Sequence, residues 1–172
     1  METPMVTRAL VAFPYVEQIE VIQRLREMYD PLARSIAPHM TLVFPFESPF
    51  PTTELAEHIT KAVASFEPFS IRLQGISGHA GEYLFLNVKR GNDQLIELHD
   101  RLYGGLLAPF LRAESTYTPH LTVGRLPDAD AFHAALDEAR QMTAAFDAIV
   151  KEVAVYRIEP GSARPVEYVA RL

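Results

Sequence analysis

Stretches of hydrophobic residues with period two and with period 3.6 alternate along the chain. Thr7 to Phe13 alternates as a strand would, and Pro14 stops it. From Glu17 to Tyr29, Ile22, Leu25 and Tyr29 form one helical stripe, which Asp30-Pro31 ends. Pro38 to Phe46 is a β-rich apolar run bracketed by prolines and too short for a typical helix. Thr52 to Phe66 returns to helical spacing, with Leu55, Ile59, Val63 and Phe66 on one face and Thr52 or Thr53 as the cap. Phe69 to Ile76 predicts a strand, and Ser77 to Gly81 a loop.

The second half repeats that order. Tyr83 to Lys89 predicts a strand, and Gly91-Asn92-Asp93 turns it into a helix with Leu95, Leu98, Leu102 and Leu106 facing inward. A loop from Ala108 to Thr116 leads to a strand over Thr118–Leu126. Pro127-Asp128 then caps a helix carrying Phe132, Leu136 and Ala139. Asp147 to Ile158 and Pro165 to Ala170 read as a closing hairpin joined through Glu159-Pro160-Gly161-Ser162. Pro38-His39-Met40-Thr41-Leu42 returns as Pro119-His120-Leu121-Thr122-Val123, an offset of 120 − 39 = 81 residues. The helix starts (129 − 52 = 77) and the leading strands (83 − 7 = 76) give similar offsets. Such a spacing argues for an internal duplication into two pseudo-symmetric lobes, at about residues 1–80 and 81–172 of one domain.

Composition narrows the chemistry. Within 172 residues there is no cysteine, which removes disulfides, thiolate nucleophiles and cysteine-ligated zinc. No apolar run approaches the ~20 residues that span a bilayer. The start, Met1-Glu2-Thr3-Pro4, is acidic and does not read as a signal peptide, so a cytoplasmic protein without membrane contact is expected. The formal net charge is −6, and lysine supplies only Lys61, Lys89 and Lys151 of the 16 basic residues. A protein that tracks a long phosphate backbone carries a basic face. No basic run occurs here, so any nucleic-acid substrate should be a small or terminal piece.

The repeated segment carries the candidate chemistry. Side chains alternate on a strand, so His39 and Thr41 share one face while Met40 and Leu42 share the other; His120 and Thr122 do the same. Related by a pseudo-two-fold, the two faces can meet and surround one small anion with two imidazoles and two hydroxyls. Near neutral pH one imidazole can accept a proton while the other donates one. The threonine hydroxyls can donate to the non-bridging oxygens of a phosphodiester. The chain contains its own control, His58-Ile59-Thr60, which falls mid-helix, where residues two apart diverge. His58 is therefore expected to be solvated, as are His79 in its loop and His99 and His133 on helices. No metal and no cofactor is required: His-Glu-x-x-His is absent, as are the Walker phosphate loop, the Gly-x-Ser-x-Gly elbow and the dinucleotide fingerprint.

At these residues the sequence resembles the 2H phosphoesterase superfamily, and within it the 2′-5′ RNA ligase-like and cyclic phosphodiesterase proteins. His39-Met40-Thr41-Leu42 and His120-Leu121-Thr122-Val123 stand as the two His-x-Thr/Ser-x motifs that define that family. The resemblance covers essentially the whole chain. It implies an α+β, bilobal fold with antiparallel-rich sheets lining a central cleft and helices outside. It also implies activity on 2′,3′-cyclic phosphate ends, 2′-5′ linkages or related small cyclic phosphodiesters, in a monomer. A binding module without turnover and reversible end joining are the competing functions. Gly124-Arg125 is similar to family members with arginine shortly after the threonine. By strict alternation, however, Arg125 points away from His120 unless the strand twists or bulges at Gly124. Phe44 holds the matching place in the first half. Arg34, Tyr83 and Tyr117 are further candidates for the rim of the site, for charge or base stacking.

Overall fold

The alternation at the start of the chain becomes a central strand in the computed structural model, which describes residues 3–172. In order, the elements are β1 (Val6–Ala12), β2 (Tyr15–Val16), α1 (Ile19–Tyr29), β3 (Met40–Ser48), α2 (Thr52–Val63), β4 (Phe69–His79) and β5 (Tyr83–Arg90). They continue with α3 (Asn92–Leu102), a 3-10 turn (Gly105–Phe110), β6 (His120–Arg125), α4 (Ala129–Ala139), β7 (Ala145–Val150), β8 (Glu152–Arg157) and β9 (Val166–Arg171). The fold is α+β. A four-stranded sheet runs β3-β1-β8-β9 and a five-stranded sheet β2-β7-β4-β5-β6, with every pairing antiparallel.

The duplication is visible in this topology, but the two sheets do not divide the chain near residue 80. β1 pairs with β3 in the first half, and β5 pairs with β6 in the second. The fourth strand of each half is exchanged: β4 lies against β5, and β8 lies against β1. The first helices cross over as well, since α1 packs on β6 and α3 on β3. Each histidine-bearing strand is thus a sheet edge covered by a helix from the other half.

Four local differences from the sequence expectation have physical causes. The expected single strand over 147–158 is two strands in different sheets. Phe146, Ala148 and Val150 are buried at one parity and Val153 and Val155 at the other, so the chain changes sheet at Lys151. β4 continues through His79, and the turn shrinks to Ala80–Glu82, where Ala80 (φ 52°) and Gly81 (φ 71°) take the left-handed conformation. α3 stops at Leu102, so Leu106 lies in the 3-10 turn beyond Gly105 (φ 53°). Thr52 does not cap α2: Pro51 precedes the first turn, and the Thr52 hydroxyl donates to Glu167 at 3.3 Å.

The helix-covered faces form one continuous core through Leu10, Met40, Leu42, Ile59, Leu86, Leu98 and Leu121. A separate small cluster of Ala9, Val11, Ile36, Ala154 and Tyr156 lies on the opposite face of β1 and β8. That second face is the one the site uses.

Candidate active site

His39 immediately precedes β3, and His120 is the first residue of β6. Their settings match atom for atom. His39 Nδ1 lies 2.8 Å from the Ala37 carbonyl oxygen, and His120 Nδ1 lies 2.7 Å from that of Thr118. A carbonyl only accepts, so each Nδ1 carries the hydrogen and each Nε2 is left as the reactive nitrogen. In both strands, therefore, the tautomer is set by the backbone two residues upstream.

Register then decides which neighbours share the site face. Thr41 lies opposite Val11 and Val43 opposite Leu10, so Leu42 has no partner on β1. Likewise Thr122 lies opposite Phe85 and Gly124 opposite Leu84, so Val123 has no partner on β5. A bulge thus follows each motif threonine, and two successive residues, Leu42-Val43 and Val123-Gly124, are buried. Alternation resumes out of phase. Arg125, opposite Tyr83, returns to the face of His120 and Thr122, which strict alternation denied it. Its guanidinium lies 5.5 Å from the centre of the Tyr83 ring and Nε donates to Glu82 at 3.2 Å. The Thr41 and Thr122 hydroxyls make no hydrogen bond among the described residues and are half-buried on the site face.

The bulge in β6 depends on Gly124. A Cβ there would stand 2.9 Å from Tyr29 Cβ on α1 and 3.0 Å from Leu84 Cδ1. We expect Gly124→Ala to cost about 1–3 kcal/mol in a denaturant titration, because Tyr29 Cβ is fixed to the α1 backbone and Leu84 is fully buried. It should also lower activity through Arg125.

Aromatic rings fix the two imidazoles differently. His39 meets the edges of Phe13 and Tyr156, at 6.1 and 6.0 Å between centroids. His120 stacks on Phe85 at 3.5 Å, and Phe85 stacks in turn on His79 at 4.9 Å. Burial among these groups lowers the pKa of both histidines, and the bonds to Ala37 and Thr118 only partly oppose it. Arg26 lowers that of His39 further, Asp30 opposes, and charge on His120 adds to the lowering. His79 does the same to His120. The packing of β3 against β6 brings the halves of the site together.

Two supports hold the strands. The segment that ends at His39 is tied to α1 by Arg26, fully buried, which donates to Asp30 Oδ2 (2.9 Å), the Ile36 carbonyl (2.8 Å) and Gln23 Oε1 (3.1 Å). The open edge of β3 is closed by two tyrosines: Tyr117 donates to the Thr41 carbonyl at 2.9 Å, and the Phe44 N–H donates to the Tyr103 hydroxyl at 3.0 Å.

Of the residues named from sequence, the structure brings together His39, Thr41, His120, Thr122, Arg125 and Tyr83. Tyr117 is a bracket, its hydroxyl committed to the Thr41 carbonyl. Arg34 is exposed on the 31–38 segment with no hydrogen bond or ion pair to the site among the described residues. His99 is not solvated: it is 7% exposed and stacks flat on Tyr117 at 4.0 Å. His58 is half-buried, with Nε2 bonded to the Leu102 carbonyl at 2.8 Å, which joins α2 to the end of α3. His79 belongs to the aromatic stack on β4. Sequence reading missed Phe85 and Asn87, which lie opposite Thr122 and His120. Their parity on β5 matches that of Tyr83, the one available signal. Among the described residues, no group of three histidine or acidic side chains is placed to hold a metal ion. No helix among the described residues is long and apolar enough to cross a membrane.

The sequence profile of the 2′-5′ RNA ligase superfamily matches residues 13–161. A protein of Geobacillus kaustophilus, named as a candidate phosphoesterase, is 31% identical over 125 residues, covering 70% of each chain. One of Bacillus licheniformis with the same designation is 24% identical over 156 residues, covering 89% of this chain and 91% of its own. Among solved structures, E. coli LigT complexed with NADP+ superposes with a TM-score of 0.66 at 17% identity, covering 98% of this chain and 99% of that one. LigT complexed with 3′-AMP gives a TM-score of 0.63 at 17% identity, with 98% of this chain and 99% of that one covered.

Proposed function

The chain belongs to the 2′-5′ RNA ligase superfamily, and from that premise we propose that it is a phosphodiesterase that opens 2′,3′-cyclic phosphate ends or 2′-5′ linkages of small nucleotides or RNA ends. The observation that carries this reading is the matched pair of imidazoles, each with Nδ1 bound to a backbone carbonyl and Nε2 left for proton transfer. In hydrolysis of a cyclic phosphate, one Nε2 takes a proton from water as its oxygen bonds to phosphorus. The other Nε2–H gives a proton to the ribose oxygen as its bond to phosphorus breaks. Water is consumed and both histidines end with protonation states exchanged, to be reset by solvent. Thr41 and Thr122 donate to the oxygens of the phosphate under attack, where charge accumulates, and Arg125 binds substrate at the rim. Complexes of LigT with 3′-AMP and NADP+ support a small-nucleotide ligand for this fold. A binding module would gain nothing from two fixed tautomers.

The test is turnover of nucleoside 2′,3′-cyclic phosphates and a 2′-5′ dinucleotide, followed as release of a phosphomonoester or a nucleoside. No turnover of any of them sinks the proposal. The pH profile checks the mechanism separately. Both pKa values lie below the ordinary imidazole value of about 6.5, so the state with one proton on the pair is most populated on the acid side of it. We expect kcat/KM to be bell-shaped with its maximum below pH ~6.5. A bound phosphodiester anion favours the protonated forms, so the kcat profile should lie to the alkaline side. A kcat/KM flat from pH 5 to 8 contradicts the pairing.

A further inference from the structure

The two halves differ where the site needs charge. Arg125 stands three residues after Thr122, and the matching residue three after Thr41 is Phe44, which carries none. Register brackets Phe44 between Val43, opposite Leu10, and Phe46, opposite Arg8. Phe44 and Pro45 therefore lie across from Ala9, a member of the cluster on the site face. Over the Phe44 ring, 5.2 Å from its centre, lies the guanidinium of Arg112, from the segment between the 3-10 turn and β6. Arg125 sits over Tyr83 at 5.5 Å in the same manner. The second half thus supplies to the first the cation that the first lacks. The two differ in one respect. Arg125 is paired with Glu82, whereas Arg112 is exposed and pairs with no carboxylate among the described residues.

We propose that Arg112, held on Phe44, is a specificity-determining residue that binds a second phosphate of the substrate, one nucleotide step from the phosphate under attack. Three residues of strand place Phe44 about 10 Å along β3 from Thr41. Arg112 meets the Phe44 ring at that distance from Thr41, so it is placed for a phosphate adjoining the one the histidines attack. A planar guanidinium fixed against an aromatic ring presents its donors as a fork that matches phosphate oxygens. The preferred substrate class is then an end carrying a further phosphate, such as an oligonucleotide terminus or a nucleoside bisphosphate, over a simple cyclic mononucleotide. This rests on the nucleotide phosphodiesterase reading above.

The experiment measures binding apart from turnover. Adenosine 3′-monophosphate and adenosine 3′,5′-bisphosphate are titrated calorimetrically into the wild type, Arg112→Ala and Arg112→Lys, and nucleoside 2′,3′-cyclic phosphate hydrolysis is assayed in parallel on the wild type. A charge-assisted hydrogen bond corresponds to about 10–100-fold in affinity. We expect the wild type to bind the bisphosphate at least ~10-fold more tightly, Arg112→Ala to reduce that ratio to about twofold or less, and Arg112→Lys to keep part of it. Two results overturn the assignment: a wild type that does not prefer the bisphosphate, or a ratio unchanged in Arg112→Ala, whether neither affinity falls or both fall equally. An Arg112-dependent ratio in a protein with no turnover would leave the assignment standing and remove the hydrolase reading. Turnover with an Arg112-independent ratio would do the opposite.

Discussion

Replacing His39 or His120 with alanine lowers kcat on a nucleoside 2′,3′-cyclic phosphate by about 10²–10⁴-fold. The two losses do not multiply in the double variant, because the groups act on one proton balance. Each imidazole is half-buried, with one backbone hydrogen bond and aromatic contacts, so removal leaves the fold in place. Full activity in either variant rejects the paired mechanism. Stability supplies an independent check. Both histidines have folded-state pKa values below the unfolded value of about 6.5, so the unfolded chain takes up more protons as pH falls. The wild type therefore loses stability from pH ~6.5 downward, until the folded-state values are passed. Each alanine variant lacks one of those groups, so its denaturation midpoint falls less between pH 7.5 and 5.5. His58→Ala is the contrast. It removes a bond to the Leu102 carbonyl and should move stability while leaving the shape of the pH–rate profile intact.

The largest stability loss is expected at Arg26. Its side chain is 1% exposed and pairs with that of Asp30, 8% exposed. Arg26→Leu removes the cation and leaves the buried Asp30 carboxylate with only the Leu32 N–H on Oδ1 (2.9 Å), and the Ile36 carbonyl without its donor. Breaking a buried pair from one side costs about 3–5 kcal/mol. Arg26→Leu with Asp30→Asn should recover part of this loss in a urea titration, because the stranded charge is gone. Equal midpoints for Arg26→Leu and the wild type refute the account. The site should respond as well, since the segment held by Arg26 ends at Ala37, whose carbonyl sets the His39 tautomer. Catalytic loss in the double variant that persists after stability is partly recovered would assign Arg26 a positioning role.

The sequence contained the site's centre in plain form. Two Pro-His-x-Thr segments with strand parity, 81 residues apart, separate His39 and His120 from the helical copy at His58. Parity also failed at one point, and for a clear reason. A bulge costs one residue and leaves no mark when both neighbours are apolar, as Leu42-Val43 and Val123-Gly124 are. Arg125 therefore changes face without any change in the hydrophobic pattern. His99 was misread because its contact, Tyr117, lies 18 residues away (117 − 99) in a segment without periodicity. Arg112 was invisible for the same reason: only the folded chain sets it on Phe44. The exchange of β4 and β8 was equally hidden, because hydrophobic alternation identifies a strand but not its neighbours. Even so, the parity slip between Val150 and Val153 is present in the sequence and marks where one strand becomes two.

That exchange has a bearing on how the protein is made. β1 is flanked by β3, which follows it closely, and by β8, which begins at Glu152. As the chain leaves the ribosome, the strand pair leading to His39 can form early, but one side of β1 stays open until β8, from Glu152 onward, has been synthesised. An unpaired edge exposed for that long is a template for association with neighbouring nascent chains. The interval is set by the order of translation, and β8 and β9 close the sheet on which the first histidine depends.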